Sequence, residues 1–277
     1  MILGAHTFIW SNAFDRNTCS AVETAARLGY DSFEVVAGAG VFDANEVRML
    51  LDGLGMRASL SCTASADRSI ASEEPAVRAA GRAFFHRCFE TAAVLGATNF
   101  VGPLFTSGKP PKARGEAAQA EDRKRITEEL GIVAEDAKQF GITLSIEPVN
   151  RYKSDLINTV EQAIAVIRET GAENMKILFD TYHANIEEKS LTDAIARMGT
   201  RYLGEVHVCD SDKGAPGSAH IDFTAIAKAL KAVGYDGFVV FESFVPYDKD
   251  NIWRKLAPTQ DELAKNAIDY MRTLFPA

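Results

Sequence analysis

In the segment ILFDTYHANIEE, residues 177–188, three apolar residues stop at an acid, Asp180, and His183 follows three positions later. A run this short and apolar reads as a strand buried on both faces. Such a strand has no use for a carboxylate at its end unless that end opens on a site. Three other stretches share the pattern. LSIEPVNRY (144–152) reaches Glu147, GEVHVCDSD (204–212) carries His207, and GFVVFESF (237–244) reaches Glu242. The pattern has meaning only if the four ends lie on one face.

Outward from these strands the same unit recurs along the chain. A helical pattern ends at a glycine, a short connector follows, and a compact β-rich run comes next, as in AARLGYDSFEVV, AAVLGATNFVG and KAVGYDGFVVFES. Glycine stops a helix by adopting the left-handed conformation at its end. The runs predict strands near 2–9, 32–36, 57–62, 99–102, 143–147, 176–180, 203–208 and 237–242. Helices are predicted near 19–28, 44–54, 74–95, 117–140, 159–170, 190–198, 222–233 and 259–274. Strands alternating with helices imply a parallel sheet. Eight such units in 277 residues match a single-domain (β/α)8 TIM barrel spanning 1–277. The competing arrangement is a doubly wound open sheet.

The composition, 47% hydrophobic and 25% charged, is that of an ordinary globular domain. A formal net charge of −8 speaks against a nucleic-acid surface, because phosphate binding relies on clustered Lys and Arg. No apolar run approaches the roughly 20 residues of a membrane span. The opening MILGAHTFIW lacks the basic-then-apolar layout of a secretory leader. A cytoplasmic protein with no membrane or nucleic-acid partner is therefore expected. Cys19, Cys62, Cys88 and Cys209 form no CxxC, so buried thiols are expected rather than disulfides or a cysteine zinc site.

In a barrel all strand C-termini share one face, where the active sites of such barrels are built. Glu147, Asp180, His207 and Glu242, at the ends of strands 5 to 8, then converge. Three carboxylates in one pocket cannot all stay ionised without compensation. A divalent cation supplies it, and oxygen ligands with one imidazole suit Mn2+, Mg2+ or Co2+. Such an ion, with open positions, polarises a sugar carbonyl and acidifies the adjacent C–H, which a neighbouring carboxylate can deprotonate. Two carboxylates on opposite sides of the carbon would epimerise it. One base returning the proton to the next carbon would instead isomerise an aldose and a ketose.

The stretches IEPVNRY (146–152), FDTYHANIEE (179–188), GEVHV (204–208) and GYDGFVVFESF (234–244) resemble the ketose 3-epimerases, the D-tagatose and D-psicose 3-epimerases of the xylose isomerase-like barrels. The likeness extends from GAHTFIW near the start to NIWRKLAP near the end. It implies a keto-sugar epimerase acting at C3, with Mn2+ (alternatively Co2+ or Mg2+) held by Glu147, Asp180, His207 and Glu242. Glu147 and Glu242 are implied as the acid/base pair acting through an enediolate. His183 is implied to contact substrate near its C1–C2 end, and Trp10 and Phe244 to wall the pocket. A homodimer or homotetramer is also implied. Two positions depart from the family pattern: Lys153 stands where it carries a glutamate, and Lys213 where it carries an arginine. Both positions serve the C1 end of the sugar in the family, so both lysines are expected to bind substrate, and an anionic group near C1 becomes a possibility to test.

His6, in the first strand, could touch substrate or sit in the core. His86 is expected to be structural, and Glu34 faces the same rim. His220 follows a glycine-rich loop whose position the sequence does not give. GAGVFDANE and KGAPGSAH are not nucleotide-binding glycine motifs. Residues 109–125 read as the loop after strand 4 entering a solvated helix. The alternatives are an aldose–ketose or keto-acid isomerase, an epimerase of phosphorylated or 3-keto sugars, an endonuclease for abasic DNA, and a silent sugar-binding barrel. The net charge and five histidines speak against the endonuclease.

Overall fold

Eight parallel strands close on themselves in chain order. They are β1 (Ile2–His6), β2 (Ser32–Ala37), β3 (Arg57–Cys62), β4 (Asn99–Gly102), β5 (Thr143–Ile146), β6 (Met175–Asp180), β7 (Leu203–Val208) and β8 (Phe238–Phe241). β1 pairs with both β2 and β8, so no edge is left open. The helices are α1 (Cys19–Leu28), α2 (Ala44–Leu54), α3 (Pro75–Leu95), α4 (Glu116–Gln139), α5 (Val160–Thr170), α6 (Thr181–Glu187), α7 (Leu191–Tyr202), α8 (Phe223–Ala232) and α9 (Gln260–Leu274). The computed structural model describes residues 1–62, 65–106, 115–247 and 251–276. Residues 109–114 of the expected β4–α4 loop lie outside the described residues.

The strands sort their side chains by alternation, since successive residues face opposite sides of a sheet. In β2 and β3 the apolar members Phe33, Val35 and Leu60 are fully buried. Phe100 of β4 turns outward to α3, where Phe89 and Phe85 meet its ring edge-on at 5.2 and 5.9 Å. The polar members point into the barrel. Ser59 of β3 donates to Glu205 of β7 at 3.2 Å, a contact between non-neighbouring strands that only the interior allows. Asn99 of β4 donates to the other Glu205 oxygen at 2.9 Å. Barrel interiors are usually filled by branched aliphatic layers; here part of the filling is a hydrogen-bonded polar floor beneath the strand ends.

Three local features differ from the sequence expectation. β1 stops at His6, and Thr7–Ile9 forms a 3-10 turn. The His6 ring accepts the Phe8 N–H at 2.9 Å while the Thr7 hydroxyl donates to the Glu34 carbonyl at 2.7 Å, pulling the chain out of line. Residues 181–187, which fall between the predicted strand at 176–180 and helix at 190–198, form the helix α6. α7 runs beyond residue 198 through a break at Gly199 (φ 51°, ψ −165°). Among the described residues no helix is long and apolar enough to cross a membrane.

Candidate active site

Asp180 is the last residue of β6 and the N-cap of α6. Its Oδ1 accepts the His183 N–H at 2.9 Å, satisfying a donor the helix start leaves free. The acid that ends the strand thus starts the helix with one oxygen and offers Oδ2 to the barrel mouth. Glu147 immediately follows β5, and its N–H donates to the Gly102 carbonyl at 3.0 Å. Glu242 immediately follows β8, its N–H donating to the Val208 carbonyl at 3.2 Å. His207 lies opposite Asp180 in the β6–β7 register. All four side chains are buried.

Ligand atoms of Asp180, His207 and Glu242 lie within 4.8 Å of one another, and so do those of Glu147, Asp180 and His183. Asp180 belongs to both groups and joins them. His207 turns its two nitrogens to different tasks. Nε2 lies 3.2 Å from Glu34 Oε2, while Nδ1, 3.9 Å from Glu242 Oε1, is buried with no hydrogen-bond partner among the described residues. Metal-binding histidines commonly give one nitrogen to a carboxylate and the other to the ion. The orphaned Nδ1 among carboxylate oxygens therefore fits a divalent cation. Glu34 is itself tied to Ser59 at 3.0 Å, and its other oxygen lies 3.1 Å from His6 Nε2.

The electrostatics agree with a site short of positive charge. Burial, then Asp180 and Glu242, push the Glu147 carboxyl well above its usual range. Burial also opposes ionisation of Asp180, but Lys213, His183 and His207 outweigh it and hold Asp180 at about 2. Burial lowers His183 to about 4 against the pull of Asp180. Its Nδ1 accepts the Asn150 N–H at 3.0 Å, so the neutral ring carries its proton on Nε2, 3.7 Å from Glu147 Oε1.

The two lysines separate. Lys213 is buried, with Nζ 2.9 Å from Glu242 Oε2 and 3.4 Å from Asp180 Oδ2. Lys153 is exposed on the turn after Asn150, outside the buried cluster. Phe244 faces the Lys213 ammonium at 5.2 Å. Trp10 instead stacks on Phe33 and donates its indole N–H to Asp261 of α9 at 2.8 Å; Phe8, two residues earlier, is the ring that stacks on Phe244. His6 is buried beside Glu34 and Ser61. His86 is exposed on α3 and pairs with Asp136, and the exposed His220 bonds Ser211 at 3.0 Å. Asn150 and Glu205 were not anticipated. Asn150 acts through its backbone and leaves no side-chain signal, whereas Glu205 could have been found two residues before His207, on the same strand face.

The fold and this cluster define a class, a TIM barrel with carboxylates and a histidine gathered at the ends of strands 5 to 8. The family model described as xylose isomerase-like TIM barrel matches residues 22–274. The chain is 34% identical to the ketose 3-epimerase of Arthrobacter globiformis, over 98% of this chain and 96% of that one. It is 31% identical to the D-psicose 3-epimerase of Agrobacterium fabrum (strain C58), over 97% of each. The crystal structure of D-allulose 3-epimerase from Methylomonas sp. in complex with D-allulose matches with a TM-score of 0.90 at 29% identity, covering 99% of this chain and 97% of that one. The chain belongs to the xylose isomerase-like TIM barrel family and, within it, to the ketose 3-epimerases.

Proposed function

We propose that this protein is a divalent-metal-dependent epimerase acting at C3 of a free ketose of the D-tagatose, D-psicose, D-fructose or L-ribulose type. Glu147, Asp180, His207 and Glu242 hold the ion, Mn2+ by preference, with Co2+ or Mg2+ as alternatives. Bound there, the ion supplies a Lewis acid that polarises the ketose carbonyl and acidifies the neighbouring C–H. Glu147 and Glu242 flank C3; one removes its proton and the other returns a proton to the opposite face. His183, neutral and fixed by Asn150, donates from Nε2 toward the C1–C2 end of the sugar. Lys153 reaches the substrate from the rim. Lys213 lines the same pocket, but its ammonium is already engaged by two carboxylates, which favours a neutral sugar over an anionic one. The reading also takes the protein as a cytoplasmic homodimer or homotetramer.

The observation that carries the reading is His207 Nδ1, buried and without a partner among the described residues beside Asp180 and Glu242, while Glu34 holds the other nitrogen. The test is proton NMR in D2O with Mn2+ and a panel of free ketohexoses and ketopentoses, then C1-phosphorylated ketoses. Deuterium should enter at C3 as the C3 epimer accumulates. Deuterium at another carbon would make the protein an isomerase, and exchange confined to phosphorylated sugars would overturn the neutral-substrate assignment.

A further inference from the structure

Lys213 is 3% exposed, and several devices fix it there. It adopts φ 65°, a left-handed conformation that side-chain-bearing residues seldom take. Its N–H donates to the Asp210 carbonyl at 2.9 Å, and its carbonyl accepts the Ser243 hydroxyl at 2.7 Å. The buried Asp210 carboxylate in turn accepts the N–H groups of Ser211, Gly217, Ala219 and Ile221 at 2.8 to 3.2 Å. The loop after β7 is thereby pinned so that its lysine turns inward. The ammonium contacts Glu242 Oε2 and Asp180 Oδ2 and faces the rings of Tyr182 at 4.6 Å and Phe244 at 5.2 Å. A cation beside aromatic faces gains from their quadrupoles.

The groups this ammonium touches are two of the four that would hold the divalent ion. Glu242 shows one oxygen to each claimant: Oε1 lies on the His207 side and Oε2 on Lys213. Two cations that share a carboxylate pair in a buried site repel each other, and water does not screen them well. We infer that Lys213 is a built-in counter-cation of the Asp180–Glu242 pair, holding the site together without metal and weakening metal binding by its charge. This rests on the metal reading given above. It assigns Lys213 a role toward the ion, distinct from a contact with the sugar.

The test compares wild type, Lys213→Met and Lys213→Arg after chelator treatment, by calorimetric titration with Mn2+ at pH 7.5 and by thermal melting. Methionine keeps an apolar stem against Tyr182 and Phe244 and removes the charge; arginine keeps the charge. Lys213→Met should bind Mn2+ about tenfold tighter, within the usual range for coupled sites, while its metal-free Tm falls. Lys213→Arg should stay near wild type in Mn2+ affinity. Unchanged or weaker Mn2+ binding in Lys213→Met, with only KM for the ketose altered, overturns the inference and makes Lys213 a substrate contact. If Lys213→Met can be isolated only with metal, release of Mn2+ into excess chelator reads the same coupling. Slower release than wild type is expected, and equal or faster release overturns the inference. Wild-type protein that takes up none of Mn2+, Co2+ or Mg2+ sinks the metal reading itself, a failure visible before any variant is compared.

Discussion

His207 Nε2 lies 3.2 Å from Glu34 Oε2, and neither side chain meets solvent. The contact fixes the ring so that Nδ1 faces Asp180 and Glu242. Glu34→Gln keeps the shape of the side chain and removes its charge. Its Mn2+ affinity should fall roughly 10–100-fold, the usual cost of losing a carboxylate behind a ligating histidine. Calorimetric titration checks this, and undiminished affinity would reduce Glu34 to filling space in the polar floor.

The proposed acid/base pair is tested by Glu147→Gln and Glu242→Gln. Each should lower accumulation of the C3 epimer by about 10²–10⁴-fold, the typical contribution of a positioned general acid or base. Both residues are also proposed ligands, so epimerisation is measured at saturating Mn2+, with occupancy confirmed separately. Substantial epimer formation in either fully loaded variant would remove that glutamate from the proton transfer.

The cysteines give a prediction independent of catalysis. Burial pushes Cys88 up to about 12 despite Arg68 and Arg87, and burial raises Cys62 and Cys209 well above the usual thiol range. Thiolate is the reactive form, so these three should resist an aromatic disulfide reagent at pH 7.5 in the native protein. Cys19, partly exposed and raised by burial and then by Glu46, Asp15 and Glu23, should react alone and slowly, faster as pH rises. All four should react in denaturant. Rapid labelling of Cys62, Cys88 or Cys209 in native protein would mean that the barrel wall opens readily.

The barrel was legible because glycine stops and short apolar runs recur in a fixed order, and parallel pairing leaves few ways to use them. The strand-end acids were legible for the same reason, since Glu147, Asp180 and Glu242 each close an apolar run, whereas His207 lies one residue inside the end of β7. What the sequence hid depends on direction rather than order. Lys153 and Lys213 are both loop lysines, yet one is exposed and the other buried, a difference set by the Asp210 amide cluster and the left-handed backbone at Lys213. The chain leaves β1 at His6 and turns before Trp10, so Phe8 stacks on Phe244 while Trp10 stacks on Phe33, a pairing that alternation alone does not give. The helix α6 is not legible because its cap, Asp180, reads equally well as a strand-end acid; one oxygen caps the helix and the other faces Lys213.

Gly102 links the backbone to the site. It ends β4 with φ 133°, and a Cβ there would lie 2.5 Å from the Cys62 carbonyl oxygen of β3, an atom held in the sheet and unable to step aside. Its own carbonyl accepts the Glu147 N–H. Gly102→Ala must therefore shift the end of β4 and carry Glu147 with it. A strained backbone of this kind costs about 1–3 kcal/mol, so Tm should fall by several degrees. C3 exchange should fall further than the lost stability explains, because catalytic groups tolerate little displacement. Gly234→Ala separates the two effects. Gly234 also has a positive φ, 73°, but among the described residues nothing lies within 4 Å of its Cβ, and it sits at the end of α8, outside the cluster. It should lower Tm and leave exchange by the folded protein unchanged. Equal exchange in both variants would mean that Glu147 is placed by its own side-chain contacts and not by the end of β4.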